Sequence, residues 1–224
     1  VPHRLEDLPP QCTRLPGGVE LHHASAGDGP PLIFVHGAMG DWRSSAPQWP
    51  AFVPHFRCTS YSRRYSHPNR NEMPSPDHSA LQEAEDLRLF MDALGLQNAR
   101  FVASSYGAFT VLALAVREPQ RVAALVAVEP AMLCYADFSA AGRAERARFR
   151  EQVIEPANAA FRSGQDAQAA ALMTGGIMGA ALPVLDDAAM ALRVRFVERS
   201  RAWAERAPKP AEGPSSSVDP SELV

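Results

Sequence analysis

Residues 99–109, Ala-Arg-Phe-Val-Ala-Ser-Ser-Tyr-Gly-Ala-Phe, constrain the fold more than any other stretch. An apolar strand there runs into a helix with only about two residues in which to turn. Phe101, Val102 and Ala103 supply the strand, and Gly107 and Ala108 open a helix of small and aliphatic residues that includes Val111 to Val116. So short a turn lifts one side chain clear of the sheet. It places that side chain at a helix N-terminus, where N–H groups and the helix dipole favour developing negative charge. The residue at the turn is Ser105.

The flanking sequence supplies a sheet for this turn to project from. Gln11 to Arg14 and Val19 to Ser25, separated by Pro16-Gly17-Gly18, read as an antiparallel hairpin. Leu32-Ile33-Phe34-Val35 is a continuous apolar run of the kind that parallel strands buried on both faces require, and it ends in the loop His36-Gly37-Ala38-Met39-Gly40. Trp42 to Phe56 reads as a helix broken by Pro47, Pro50 and Pro54, and Cys58-Thr59-Ser60-Tyr61 as the next strand. Ser79 and Gln82 form a capping box for a helix whose stripe is Leu81, Ala84, Leu87, Met91 and Leu94, closed by Gly95. Val122 to Val128 is a further apolar strand, ending in Glu129-Pro130. Strands alternating with helices at this spacing predict an α/β architecture with a mostly parallel sheet and right-handed crossovers.

Beyond Pro130 the chain turns rich in Ala and Arg. The expected layout is an α/β core over 1–130, a helical lid over 131–207 and a disordered proline- and serine-rich tail over 208–224. Within the lid, Phe149 and Val153 mark a helix ending before Pro156, Gly175-Gly176 and Gly179 a flexible joint, and Leu185 to Trp203 a second helix. A net charge of −3 gives counterion release little to work with, so a nucleic-acid partner is not expected. No apolar run reaches the roughly 18 residues of a membrane span. Cys12, Cys58 and Cys134 are odd in number and far apart, which argues against a disulfide framework or zinc site and for a reduced, cytoplasmic setting.

Open α/β sheets bind ligands at the C-terminal ends of their strands. His36-Gly37-Ala38, Ser105 and Glu129 all fall there. A hydroxyl attacks a carbonyl at neutral pH only with a general base and an anion-stabilising pocket. The N–H groups of Ala38 and Tyr106 suit the pocket, and Glu129 suits the carboxylate that orients an imidazole base. Each residue also has a plainer reading. Ser105 is a small turn residue; Glu129 is solvated or paired with Arg64; His36 is structural; His67 is a loop histidine rather than a substitute base. Arg63-Arg64 is solvated or bridges to the lid, rather than binding an acidic substrate group.

Together, the His36-Gly37-Ala38-Met39-Gly40 loop, Arg63-Arg64-Tyr65 with His67-Pro68-Asn69, Val102-Ala103-Ser104-Ser105-Tyr106-Gly107 and Val128-Glu129-Pro130 resemble the α/β-hydrolase superfamily from about residue 12 to about residue 206. Ala103 stands where the family's Gly-x-Ser-x-Gly elbow has its first glycine. The resemblance implies Ser105 as nucleophile and Ala38 and Tyr106 as oxyanion donors. It implies Glu129, 24 residues after Ser105, as the acid where members carry it after the sixth strand. It further implies a small ester, amide or related carbonyl substrate, an acyl-enzyme, and no cofactor or metal. In this family the histidine follows the acid, yet all seven histidines here precede Ser105. The expectation is therefore a chain lacking the C-terminal strands. Serine hydrolase chemistry through an acyl-enzyme remains the leading expectation; the alternatives are a catalytically inactive chain or another reaction such as perhydrolysis or carbon–carbon bond hydrolysis, with self-association through the sheet edge at 122–128.

Overall fold

The computed structural model describes residues 4–38, 40–71 and 79–178, in two compact units, one of 4–71 with 79–131 and the other of 132–178. The first unit holds a six-stranded sheet of β1 (Gln11–Arg14), β2 (Glu20–Ala26), β3 (Pro31–Val35), β4 (Arg57–Tyr61), β5 (Ala99–Ser104) and β6 (Val122–Val128). Their order is β1-β2-β4-β3-β5-β6, with β1 and β2 antiparallel and the other four parallel. The chain leaves β3 to one side for β4 and returns to its other side for β5. That reversal is the topological switch point, where α/β sheets open a crevice at their C-terminal edge.

Alternation along β3 divides the core. Leu32 and Phe34 join Ala24, Cys58, Trp42 and Trp49 on one face. Here the predicted proline-broken helix takes the form of a 3₁₀ turn, Trp42–Ser45, and a single α turn, α1 (Trp49–Phe52). The opposite face holds Tyr61 and His23 against Phe90 of α2 (Ala80–Ala93), with ring centroids 5.0 and 5.1 Å apart. Ser79 Oγ caps α2 by accepting the Gln82 N–H, and Gly95 follows it at φ 69°, as the capping signals predict. The buried face of α2 differs from the predicted stripe. Leu81 and Leu94 are half-buried, while Ala80, Ala84, Leu87, Phe90 and Met91 are buried together with two acids, Glu83 and Asp86.

Helix α3 (Tyr106–Arg117) crosses close behind β3 because Gly107 has no side chain. A Cβ there would lie 2.4 Å from the His36 carbonyl oxygen and 2.6 Å from that of Val35. Strand β6 forms the sheet edge expected of residues 122–128. It pairs only with β5 among the described residues, and Val126 and Val128 are 57% and 47% exposed.

The second unit is helical, with two corrections to the sequence reading. Pro156 does not end a helix: α4 (Ala140–Phe149) continues through a wide π turn, Arg150–Ile154, into α5 (Glu155–Arg162). Pro156 stands at the start of α5 directly after the π turn, the kind of local irregularity at which a helix accommodates an interrupted hydrogen-bond ladder. Gly175-Gly176 is no joint but lies within α6 (Asp166–Met178). Gly176 is a packing residue there, since a Cβ would come 2.3 Å from Val153 Cγ1. The predicted helix at 185–203 and the tail at 208–224 lie outside the described residues. No helix among the described residues is long and apolar enough to cross a membrane.

Candidate active site

Sheet register brings the predicted residues to one edge. Val35 is level with Tyr61 on one side and Ala103 on the other, and Ser104 is level with Val128. The next residues are therefore Ser62, His36, Ser105 and Glu129, on strands spaced about 4.8 Å apart. Ser105 stands between the His36-Gly37 loop and the Glu129 turn. A Cβ on Gly37 would lie 3.1 Å from Ser105 Cβ, so the loop abuts Ser105.

Ser105 has the backbone of a strained elbow, φ 50° and ψ −122°. It occupies the N-cap of α3, where a serine hydroxyl ordinarily accepts a helix N–H, but its side chain makes no capping bond. Its hydroxyl is thereby left uncommitted to the cap, next to the first amides of α3, which lack intrahelical partners. The turn is tied to β6 by reciprocal main-chain bonds. Ser105 N–H donates to Val128 C=O at 2.8 Å, and Ala131 N–H donates to Ser105 C=O at 3.2 Å. Between these ties lies Glu129, exposed and also left-handed at φ 46°. Two non-glycine residues with positive φ, side by side, store of order 1–3 kcal/mol each, and such outliers cluster at functional sites.

Beside this turn, the polar network around Arg63 and Arg64 corrects the reading of these residues as solvated. Arg63 is buried. Its Nη1 donates to Glu83 Oε2 at 2.5 Å, its Nη2 to the Gly37 carbonyl at 3.1 Å, and its guanidinium carbon lies 5.1 Å from the Tyr106 ring centroid. Arg64 pairs through two bonds with Asp86, so it is Asp86, not Glu129, that partners Arg64. The sequence does carry a signal for these pairs. Glu83 and Asp86 interrupt the buried stripe of α2, and acids in such a stripe call for buried cations.

The rings of His36, His23 and His22 are all held by hydrogen bonds. His36 donates from Nδ1 to the Gly37 carbonyl at 2.7 Å, and its Nε2 accepts the Arg63 N–H at 3.0 Å. Both ring nitrogens are engaged and the neutral tautomer is fixed. Burial, helped by the Arg63 charge, pushes its pKa down from 6.5 to about 3. His23 bonds Thr13 Oγ1 through Nε2 at 3.0 Å, and burial followed by the charge of His22 lowers it to about 4. His22 points to the other face and bonds Asn69 Oδ1 at 2.9 Å. His55 lies just before β4, at the end of the strand remote from Ser105. His67 lies in the loop after β4, its carbonyl accepting from Ser62 Oγ.

The two depressed histidines give the fold an acid liability. Both stay neutral when folded and take up protons when unfolded below pH 6.5, so the unfolded state binds more protons and stability falls with falling pH. The expected slope well below that value is roughly 1.4 kcal/mol per pH unit for each histidine. Urea midpoints measured from neutrality to mild acid check it. A flat profile above the carboxylate range would refute the buried, neutral state of both rings.

The site, then, is a serine elbow at a switch point, facing a glycine loop backed by a neutral histidine and a buried arginine. The profile of the alpha/beta hydrolase fold matches residues 30–161, more than half of the chain, and the chain belongs to that family. Among curated relatives, a Caulobacter sp. (strain K31) protein provisionally named carbamate hydrolase RutD is 33% identical over 109 residues, 49% of this chain and 40% of that protein. The 2-hydroxymuconate semialdehyde hydrolase of Pseudomonas putida is 31% identical over 118 residues, 50% of this chain and 40% of the relative. The chain thus matches about two fifths of the length of these relatives. A solved structure from work on epoxide hydrolases of the alpha/beta hydrolase superfamily, found in metagenomes of hot environments, superposes with a TM-score of 0.72 at 18% identity. It covers 95% of this chain and 76% of its own.

Proposed function

We propose that this chain carries the nucleophile half of a serine hydrolase acting on a small ester, amide or related carbonyl compound. The observation that carries the reading is the Ser105 conformation, a left-handed N-cap residue that leaves its helix uncapped. Ser105 Oγ attacks the carbonyl carbon as its proton passes to a base. The oxyanion is received by the N–H groups of Ala38 and Tyr106, and collapse expels the leaving group to leave an acyl-serine that water then cleaves. Glu129 is the acid that orients the base, its strained backbone directing the carboxylate from the strand end. The relatives named for carbamate and semialdehyde hydrolysis support carbonyl-directed chemistry.

A second reading, a hydrolase-like chain without turnover, is favoured by the histidines. Both ring nitrogens of His36 are already hydrogen-bonded. Exogenous imidazole separates the two readings, because a diffusible base substitutes for a missing one only where nucleophile and oxyanion pocket are already formed.

The experiment is phosphonylation by a fluorophosphonate probe with and without imidazole, with the labelled residue located by peptide mass spectrometry. Labelling at Ser105, accelerated by imidazole and abolished in Ser105→Ala, is the expected result. Glu129→Gln should slow it in the presence of imidazole, where the carboxylate has a base to orient. No label at Ser105 even with imidazole present would leave the inactive scaffold as the correct reading.

A further inference from the structure

The geometry points to Arg63 as a positioning residue that aims the Ala38 N–H at the reaction centre, an inference that rests on Ser105 and Ala38 acting as proposed above. Three donors converge on the Gly37 carbonyl oxygen: His36 Nδ1 at 2.7 Å, Arg63 Nη2 at 3.1 Å and the Gly40 N–H at 3.2 Å. That carbonyl belongs to the same peptide unit as the Ala38 N–H. In a planar trans peptide the C=O and N–H point in opposite directions, so whatever fixes the carbonyl also fixes the direction of the amide. With the carbonyl turned onto Arg63, the Ala38 N–H is turned the other way. Ala38 is exposed, and the adjoining Gly37 Cα lies against Ser105.

Of the three donors, two belong to the 36–40 loop itself. Arg63 is the one that comes from outside, and the only one that carries a charge. A guanidinium bond to a peptide carbonyl is charge-assisted, and it polarises the amide so that its N–H becomes a better donor. Arg63 is itself held from two further directions, by Glu83 of α2 and by the face of Tyr106 at the start of α3. Loop, helix and nucleophile turn are thus referenced to one cation. Burying that cation is costly, and apolar replacements of buried pairs are often at least as stable. Stability alone therefore gives weak reason for an ion pair at this position.

The side chain can be tested separately from the main chain, because the Arg63 N–H bond to His36 Nε2 survives substitution. Phosphonylation rates with imidazole, melting temperature and the ¹H–¹⁵N signal of Ala38 are to be compared in wild type, Arg63→Gln, Arg63→Lys and Arg64→Gln. Arg63→Gln is expected to slow labelling roughly tenfold to a hundredfold, the scale of a misaimed catalytic group, and to shift the Ala38 amide. Arg63→Lys, a single ammonium that cannot span Glu83 and Gly37, should fall between and serves as the comparison if the glutamine variant does not fold. Arg64→Gln breaks the neighbouring pair with Asp86 and should lower the melt while leaving the Ala38 signal in place and the labelling rate within about twofold.

Labelling at the wild-type rate with an unmoved Ala38 amide, in whichever Arg63 variant folds, would overturn the inference. Equal slowing in the Arg63 and Arg64 variants would overturn it as well. If wild type itself is never labelled, the Ser105 reading fails. The amide comparison then decides alone whether Arg63 orients the loop, a shift in the Arg63 variants but not in Arg64→Gln supporting it.

Discussion

Replacing Glu83 with alanine is expected to destabilise the protein by about 3–5 kcal/mol, because it leaves the Arg63 guanidinium buried without its anion. The Arg63 and Glu83 side chains are 6% and 4% exposed, so water cannot take over the lost bond. Thr110 Oγ1, 3.5 Å from Glu83 Oε2, cannot replace a carboxylate. For a chain of this size the corresponding drop in melting temperature is of order 10 °C. Urea unfolding of Glu83→Ala gives the number, and a change below about 1 kcal/mol would show the pair to be solvated in solution. The double change Arg63→Met with Glu83→Leu should recover much of the loss, since apolar residues of similar volume suit such a site. Its recovered stability without recovered labelling would separate the two consequences of the ion pair.

The other large effect is expected at Gly107. A methyl group there meets main chain rather than a movable side chain, at 2.4 and 2.6 Å from the carbonyl oxygens of His36 and Val35 and 2.9 Å from the Val35 carbonyl carbon. Relief requires α3 to withdraw from β3, which would carry Ser105 away from the Gly37 loop. Gly107→Ala is therefore expected to cost about 3 kcal/mol or more, at the upper end of the range for overpacking. Gly175→Ala is the natural control. It lies in a helix with nothing within 4 Å of the added carbon, so only helix propensity is at stake. Equal melting temperatures for Gly107→Ala and wild type would mean that α3 does not depend on close approach.

What the sequence discloses about this site follows from what is local in it. The elbow is legible because a strand, a turn of small residues and a helix start are adjacent in sequence, and the register of β3, β5 and β6 follows from their apolar runs and crossovers. The N-cap at Ser79 and the glycine after α2 are legible for the same reason. Arg63, Glu83 and Tyr106 meet across 20 and 43 positions in the chain, and only packing brings them together. A basic pair in a loop therefore reads as solvent-facing until the acids of α2 are placed beneath it. Pro156 and Gly176 mislead in a related way. Breaker residues are read by their backbone tendencies, whereas one sits at the start of α5 just after a π turn and the other makes room for Val153. Strand β6 reads as an edge because no apolar strand run follows it in the sequence, and among the described residues it pairs only with β5, with Val126 and Val128 exposed.

The two hydrogen bonds that join Ser105 to residues 128 and 131 make the serine turn and the end of β6 a single mechanical part. Selection acting on one therefore acts on the other. Substitutions at Pro130 or Ala131 that touch no substrate will be felt as changes in the aim of the serine hydroxyl. Any effort to evolve new specificity in this scaffold will find its neutral positions fewer, and its compensating positions nearer the nucleophile, than contact with substrate alone would suggest.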